Sequence, residues 1–545
     1  MSMDVLESAP TRAWLRIPAT ENADAIVAAM AAGGVEYLFF TSGAEIVFYQ
    51  EAIAKAEAGG LPAPRLITMT HEHASLNAAL GYAAVSGKAA ATAAHVDAGT
   101  LNYGGAIHTA WRSGLPVLIT AGGGPASYPG TMRGSRDSGG HIWMQSPPDQ
   151  NGILRQYVKW EHRLEYQDNA GLVVSRALQV ALSEPRGPVY LSIPKEIALL
   201  PCDGAAFPTT AQLGIVESGS PNASALRAVA QRLIDAIFPV IIVAGSGRNP
   251  VTVAPLVELA ERLGCAVVTC TPRSYLSFPL DHPLHQPADI VREADVVLVL
   301  DAQVPWIPGS NDPPDDAYVA VIDNDPLRSK IPVYDLTANA RIVADPGLAI
   351  NELLAVIDED AQATFRTRWS ERAVRLAERS AARRGAVIAD ARSRSEATPI
   401  DPKWLVYQIA SVLDDRAIVI DETLPGPNNA LTELLPFRRG GSYFNNPGSS
   451  GGWAPGAALG AKLAAPERDV VVITGDGFYM FGTAQAAMWS AVSYDRVSES
   501  QLQHRHVTCQ QHVRRLSRGA RRVCGWLFRS AGRLCKRGRG GRRIR

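Results

Sequence analysis

Two short segments about 400 residues apart carry the residue types that acid–base and metal chemistry require. The first is Thr68-Met69-Thr70-His71-Glu72-His73, where an apolar strand gives way to an Ala-rich helix. Open α/β sheets bind ligands at that edge, which makes Glu72 a candidate acid–base group; its plainer reading is an acid favouring a helix N-terminus. The second is Val470-Val471-Val472-Ile473-Thr474-Gly475-Asp476-Gly477, a buried strand that delivers a carboxylate between glycines. Asp476 is a hard oxygen donor of the kind that magnesium combines with water and phosphate oxygens. Gly475 and Gly477 let backbone and metal approach an anion, although Gly-Asp-Gly alone is more often a tight turn. Between the two lies His95, whose imidazole titrates near neutrality and can move protons. His71 and His73 read as solvated loop histidines.

These residues need a scaffold, and the hydropathy pattern provides one. Apolar runs of strand length, such as Tyr37–Phe40, Leu66–Met69, Pro116–Ala121 and Val189–Ile193, alternate with Ala-rich helical stretches. This is the pattern of parallel sheets covered by helices. It predicts a first domain over residues 1–196 and a Pro/Gly/Ser-rich linker over 197–224. A second α/β domain is expected over 225–357, with strands at Pro239–Ala244, Ala266–Thr269, Asp295–Leu300 and Tyr318–Ile322. An Arg-rich helical connector is expected over 358–398. A third domain follows from 399 to 495, with strands at Ala417–Ile420 and Asp469–Ile473.

Composition bounds the rest. The 545 residues are 46% hydrophobic and 19% charged, a globular profile too long for one core. No signal-peptide core or membrane-length apolar run is present, so a cytoplasmic location is expected. Six cysteines without CxxC spacing indicate neither a zinc ribbon nor a disulfide framework. The zero net charge hides an asymmetry: residues 496–545 hold 15 Lys+Arg and one acid, Glu499. The first 495 residues therefore carry 38 basic against 52 acidic groups.

The run from Glu72 through Gly81-Tyr82-Ala83, Gly87-Lys88, His95-Val96-Asp97-Ala98-Gly99-Thr100-Leu101-Asn102 and Gly114-Leu115-Pro116 to Thr120-Ala121-Gly122 resembles the pyrimidine-binding domain of a known enzyme family. That family is the thiamine-diphosphate-dependent group containing acetolactate synthase and benzoylformate decarboxylase. His95 to Asn102 is nearest the decarboxylase. Gly187 to Lys195 resembles the domain's closing strand, and Gly451-Gly452-Trp453 to Lys462 the glycine-rich approach to the cofactor. The resemblance implies three doubly wound parallel-sheet α/β domains, pyrimidine-binding, central and diphosphate-binding. It implies that Glu72 shares a proton with the cofactor's aminopyrimidine, that His95 serves catalysis, and that Asp476 binds Mg2+. Gly451, Gly452, Trp453, Gly475 and Gly477 are implied to line the cofactor. The substrate implied is a small 2-oxo acid, with acetolactate synthase-like carboligation leading and decarboxylation of a benzoylformate-type acid as the alternative. Some relatives hold FAD in the central domain; Gly245-Ser246-Gly247 and Asp323-Asn324-Asp325 leave that undecided. A homodimer or homotetramer is implied, with Glu72 of one chain facing the diphosphate site of another.

The resemblance fails near the end. Relatives place an Asn pair about 25–30 residues after the Gly-Asp-Gly to complete the metal site, and this chain has no Asn after Asn446. An Arg-rich tail follows Asp495, so the third domain is expected to be incomplete, with open sheet edges, exposed apolar surface and impaired activity. Gly451 stands where relatives carry a bulky apolar prop, a role Trp453 is placed to take. Two other classes remain, a non-catalytic paralogue and a nucleic-acid binder using the basic tail; the latter has composition alone behind it.

Overall fold

The computed structural model describes residues 12–136, 139–270, 275–360, 363–423, 431–435, 437, 439–446, 448, 450–497, 505–508 and 524–530. An N-terminal strand, β1 (Leu15–Ile17), precedes the first main sheet, whose strands are β2 (Tyr37–Thr41), β3 (Arg65–Met69), β4 (Ala90–Ala94), β5 (Val117–Gly123), β6 (Trp160–Arg163) and β7 (Val189–Pro194). All six run parallel in the order β3-β2-β4-β5-β7-β6. The chain reverses its winding between β2 and β4, opening a crevice at their carboxyl ends. Every residue of β4, β5 and β7 is buried, as expected for a sheet covered on both faces.

The segment expected to be a bare linker carries β8 (Ala205–Phe207), which pairs antiparallel with β1 and ties the chain's start to the crossing. The second sheet comprises β9 (Pro239–Val243), β10 (Ala266–Thr269), β11 (Val296–Leu300), β12 (Tyr318–Asp323) and β13 (Ala340–Val343), parallel in the order β10-β9-β11-β12-β13. The Arg-rich connector is a 31-residue helix, Ala363–Ser393. It is not wholly a surface element. Arg372 is 1% exposed and donates to the carbonyls of Gly264 (2.8 Å), Ile237 (2.8 Å), Ala236 (3.3 Å) and Leu263. These carbonyls lie at the C-terminal ends of the Ala223–Asp235 and Val253–Leu263 helices. A guanidinium placed there satisfies acceptors that helix ends leave unpaired.

The third sheet is built from β14 (Ile418–Glu422), β15 (Tyr443–Asn445), β16 (Val470–Thr474), β17 (Arg505–Thr508) and β18 (Cys524–Ser530), in the order β15-β14-β16-β18-β17. Its first three strands are parallel, while β18 runs antiparallel to both β16 and β17. The sheet is therefore mixed. The edge of β16, expected to stand open, is paired by tail backbone, with Val470 to Thr474 opposite Phe528 to Cys524. Exposed apolar surface does occur beside it: Met480, Phe481 and Trp489 are each at least half exposed. Gln501–His504, within the window where a second metal ligand is sought, lies outside the described residues, as do the tail residues after Val497 other than β17 and β18. No described helix is long and apolar enough to cross a membrane.

Candidate active site

Glu72 opens a 15-residue helix, Glu72–Ser86, directly after β3. His71 caps it, its side chain accepting from His73 N at 3.1 Å, and Gly87 closes it in the left-handed conformation. Glu72 is buried, and its Oε2 accepts from Asn102 Nδ2 at 3.2 Å. Gly99 keeps the other oxygen clear, since a Cβ there would stand 2.9 Å from Oε1. The His95 to Asn102 segment thus adjoins Glu72 in space as well as in sequence. His73 is not a solvated loop histidine. It is buried within the first helical turn, edge-on to Phe481 with ring centroids 6.3 Å apart. Burial, with His71 beside it, lowers its pKa to about 4.

The Glu72 helix meets the Trp453–Ala464 helix of the same chain. A Cβ on Gly81 would stand 2.0 Å from Ala457 O, and one on Gly460 1.9 Å from Ala78 O. Glycine at both positions lets the two backbones touch, and Asn77 Nδ2 reaches Gly452 O at 3.4 Å. This contact joins two helices of one chain; the expectation that Glu72 faces another chain's diphosphate site concerns the assembly.

Gly452 requires glycine on two counts, a φ of 94° and a Cβ position 2.3 Å from Gly482 Cα. The bulk beside Gly451 comes from Phe478, whose ring would meet a Gly451 Cβ at 2.6 Å. Trp453 instead lies in the core at 3% exposure. Asp476, after β16, starts the short Asp476–Phe481 helix; it is exposed, with Oδ1 accepting from Gly477 N at 2.9 Å. The far end of this helix, at Gly482, packs on Gly452, and His73 faces both. A six-residue helix spans roughly 9 Å, which sets how far along it Asp476 stands from Gly482. Among the described residues no group of three or more His, Cys, Asp or Glu side chains is placed to hold a metal.

One residue escaped sequence reasoning. Glu422 ends β14, on the other side of the third sheet's winding reversal from Asp476. It is 4% exposed and accepts from Trp453 N (2.7 Å), Ala454 N (3.1 Å) and Thr474 Oγ1 (3.3 Å). Burial pushes its pKa up to about 7 although these donors favour the anion. The helix N-terminus at Trp453, a natural anion site, is thus already occupied by the chain's own carboxylate. The signal was the one used for Asp476: an acid at the carboxyl end of an apolar strand.

The pyrimidine-side residues fit a thiamine diphosphate in one respect the structure itself provides, a buried carboxylate with one oxygen kept clear by glycine. The diphosphate side offers Gly475, Asp476 and Gly477 at an exposed helix start, a smaller set of oxygen donors than a closed metal site uses.

Profiles described as "Thiamine pyrophosphate enzyme" match at the N-terminal TPP binding domain (residues 20–153), the central domain (226–353) and the C-terminal TPP binding domain (427–496), together more than half of the chain. The chain is 28% identical over 447 residues to benzoylformate decarboxylase of Pseudomonas aeruginosa, covering 79% of this chain and 77% of that protein. It is 25% identical over 506 residues to sulfoacetaldehyde acetyltransferase of Castellaniella defragrans, covering 87% and 79%. It is also 25% identical over 458 residues to acetolactate synthase isozyme 1 large subunit of Escherichia coli, covering 79% and 73%. A thiamin diphosphate-dependent enzyme structure from Mycobacterium smegmatis shares the fold, with a TM-score of 0.70, 23% identity, and coverage of 88% of this chain and 87% of that one.

Proposed function

We propose, from the premise that this chain belongs to the thiamine pyrophosphate enzyme family, that it uses thiamine diphosphate and Mg2+ to decarboxylate a small 2-oxo acid. The observation that carries this reading is the buried Glu72 at a helix start, with Asn102 on one oxygen, Gly99 leaving room at the other, and Gly452 of the third sheet's domain close by. Thiamine diphosphate, when bound, supplies a thiazolium carbon that acts as nucleophile and electron sink. Glu72 would hold a proton against the aminopyrimidine of the bound cofactor. Burial lowers the His95 pKa from its ordinary range, favouring the neutral imidazole that would accept or return a proton at the acyl group. Gly475, Asp476 and Gly477 hold the metal-diphosphate end, with Gly451, Gly452 and Trp453 behind it.

Carboligation in the manner of acetolactate synthase is the second reading, supported by the synthase and acetyltransferase relatives. Product analysis separates the two: pyruvate yields acetaldehyde under the first reading and acetolactate under the second. A non-catalytic relative that keeps the fold would yield neither. The absent Asn pair leaves Asp476 short of ligands, so turnover is expected to be weak. Calorimetric titration of thiamine diphosphate with Mg2+ tests both ends of the site; no heat of binding at millimolar cofactor would refute the proposal. FAD is read separately from the visible absorbance of the purified protein. The central cleft, about 400 Å3 at the carboxyl ends of β9, β11 and β12, is where a flavin would lie. A cytoplasmic homodimer or homotetramer completes the reading, and light scattering measures the assembly.

A further inference from the structure

A cavity of about 470 Å3 opens at the carboxyl ends of β5 and β6, on the same edge of the first sheet that carries Glu72 after β3 and His95 after β4. Gly124, Ser146, Gln150 and three arginines, Arg136, Arg155 and Arg163, stand in its wall. It adjoins the His95 loop. Gln150 Nε2 donates to Gly122 O at 2.8 Å, and a Cβ on Gly122 would stand 2.2 Å from His95 O.

The charges on this wall do not cancel. Its two carboxylates, Asp149 and Glu161, are both taken by one guanidinium: Arg155 donates to Asp149 at 2.7 Å and 3.1 Å and to Glu161 at 2.9 Å. His162 is held by Asp168 at 2.8 Å. Arg136 and Arg163 grip neutral acceptors instead. Arg163 donates to Gly124 O at 3.3 Å, and Arg136 donates to Pro125 O and, at 3.0 Å, to Ser146 Oγ. The one described carboxylate within ion-pair distance of either is Glu165, 3.7 Å from Arg163 Nε, half exposed and outside the wall.

Consecutive carbonyls after β5 thus hold two guanidiniums at one point of the chain, with the Trp143 ring 5.1 Å from the Arg136 guanidinium carbon. Like charges held together repel, and each fork has five N–H donors, more than these acceptors use. Ser146 belongs to the same group: a Cβ on Gly124 would meet its Oγ at 2.0 Å, and its hydroxyl proton has no acceptor among the described residues. Two forked cations and a hydroxyl beside open space match an oxoanion, whose several oxygens accept from both forks at once.

We propose that this cavity is a subsite for a small oxoanion, with Arg136, Arg163 and Ser146 as its donors. The anion is the distal acid group of the substrate or a free phosphate. The first source rests on the reading of Glu72 and His95 as the neighbouring acid–base groups; the second does not.

Ligand-observed NMR on the full-length chain tests it, first with inorganic phosphate alone. Thiamine diphosphate and Mg2+ are then added, and 2-oxopentanoate is compared with 2-oxoglutarate, which has a carboxylate in place of the distal methyl. If the substrate supplies the anion, 2-oxoglutarate is expected to bind about tenfold tighter than 2-oxopentanoate. If phosphate does, the two oxo acids bind alike and phosphate binds at millimolar concentration. Under either source Arg136→Gln and Arg163→Gln are each expected to weaken the anion about tenfold. Should those variants fail to fold, as thermal unfolding would reveal, Ser146→Ala is expected to weaken it about threefold. Anion binding that survives every folded variant belongs elsewhere, at the cofactor's diphosphate site, and overturns the proposal. So does the absence of phosphate binding together with equal binding of the two oxo acids. A chain that binds phosphate through these arginines but takes up no thiamine diphosphate refutes the functional reading alone. One that takes up the cofactor and shows neither anion response refutes this inference alone.

Discussion

At the scale of single residues, the carboxyl groups divide by environment. Glu72 is buried against one donor and Asp476 is exposed; the roles proposed for them are proton sharing for the first and a hydrated cation for the second. Glu72→Gln keeps the shape and removes the shared proton; thiamine diphosphate affinity measured by calorimetry is expected to fall about tenfold. Glu422 makes a different prediction. Its folded pKa of about 7 lies above the ordinary glutamate value of 4.5, so between these values the native state binds more protons than the unfolded one. Stability from this group is present below pH 4.5 and is lost as pH rises through 7, by up to about 3 kcal/mol. Thermal unfolding from pH 5 to pH 8 should therefore show a falling contribution that Glu422→Gln flattens. His73 works in the opposite direction. With its pKa lowered to about 4 from 6.5, its contribution is lost as pH falls below 6.5.

At the scale of elements, the site depends on two contacts between helices. The Glu72 helix is seated by glycines facing backbone, so Gly460→Val, which adds bulk where a Cβ would already stand 1.9 Å from Ala78 O, should separate the helices. The expected result is loss of thiamine diphosphate binding with the central sheet still folded, read by calorimetry and by hydrogen exchange at β9 to β12. Arg372 holds the connector helix against the central sheet's helices. Arg372→Met strands the carbonyls of Gly264 and Ile237 in the interior, and should cost about 3 kcal/mol in denaturant unfolding. Strands with β-branched or aromatic residues, such as Tyr37–Thr41 and Val296–Leu300, were legible from hydropathy to within a residue. Ala90–Ala94 was not: four alanines carry little strand preference, and only burial on both faces makes them a strand. His73 was misread for a related reason. A polar residue after a strand looks solvated until the third domain's Gly452 and Gly482 are packed over it.

At the scale of the whole molecule, the tail is the anomaly. Antiparallel pairing of Cys524–Ser530 covers the β16 edge, yet Met480, Phe481 and Trp489 remain exposed on the adjoining helices. We propose that a frame disruption near Arg496 underlies the compositional break; translating the gene in its other frames is then expected to recover an apolar strand ending in Asn, and recovery in no frame would reject it. Cutting the chain after Asp495 uncovers the β16 edge, so the shortened protein is expected to aggregate more readily in light scattering. If the basic tail were a nucleic-acid anchor, the same cut would abolish salt-sensitive retention on DNA.

The local pattern of residues by itself determined the alternation of strands and helices, the two terminal carboxylates and the break in the tail, because hydropathy period, glycine placement and charge are properties of neighbouring residues. Which groups share a crevice was decided only by tertiary structure. Glu45 meets Lys195 and the His95 loop because β2, β4, β5 and β7 lie side by side. Glu422 meets the Trp453 helix because β14 and β16 are adjacent. Parallel sheets collect residues distant in sequence at one edge, and no local periodicity records strand order.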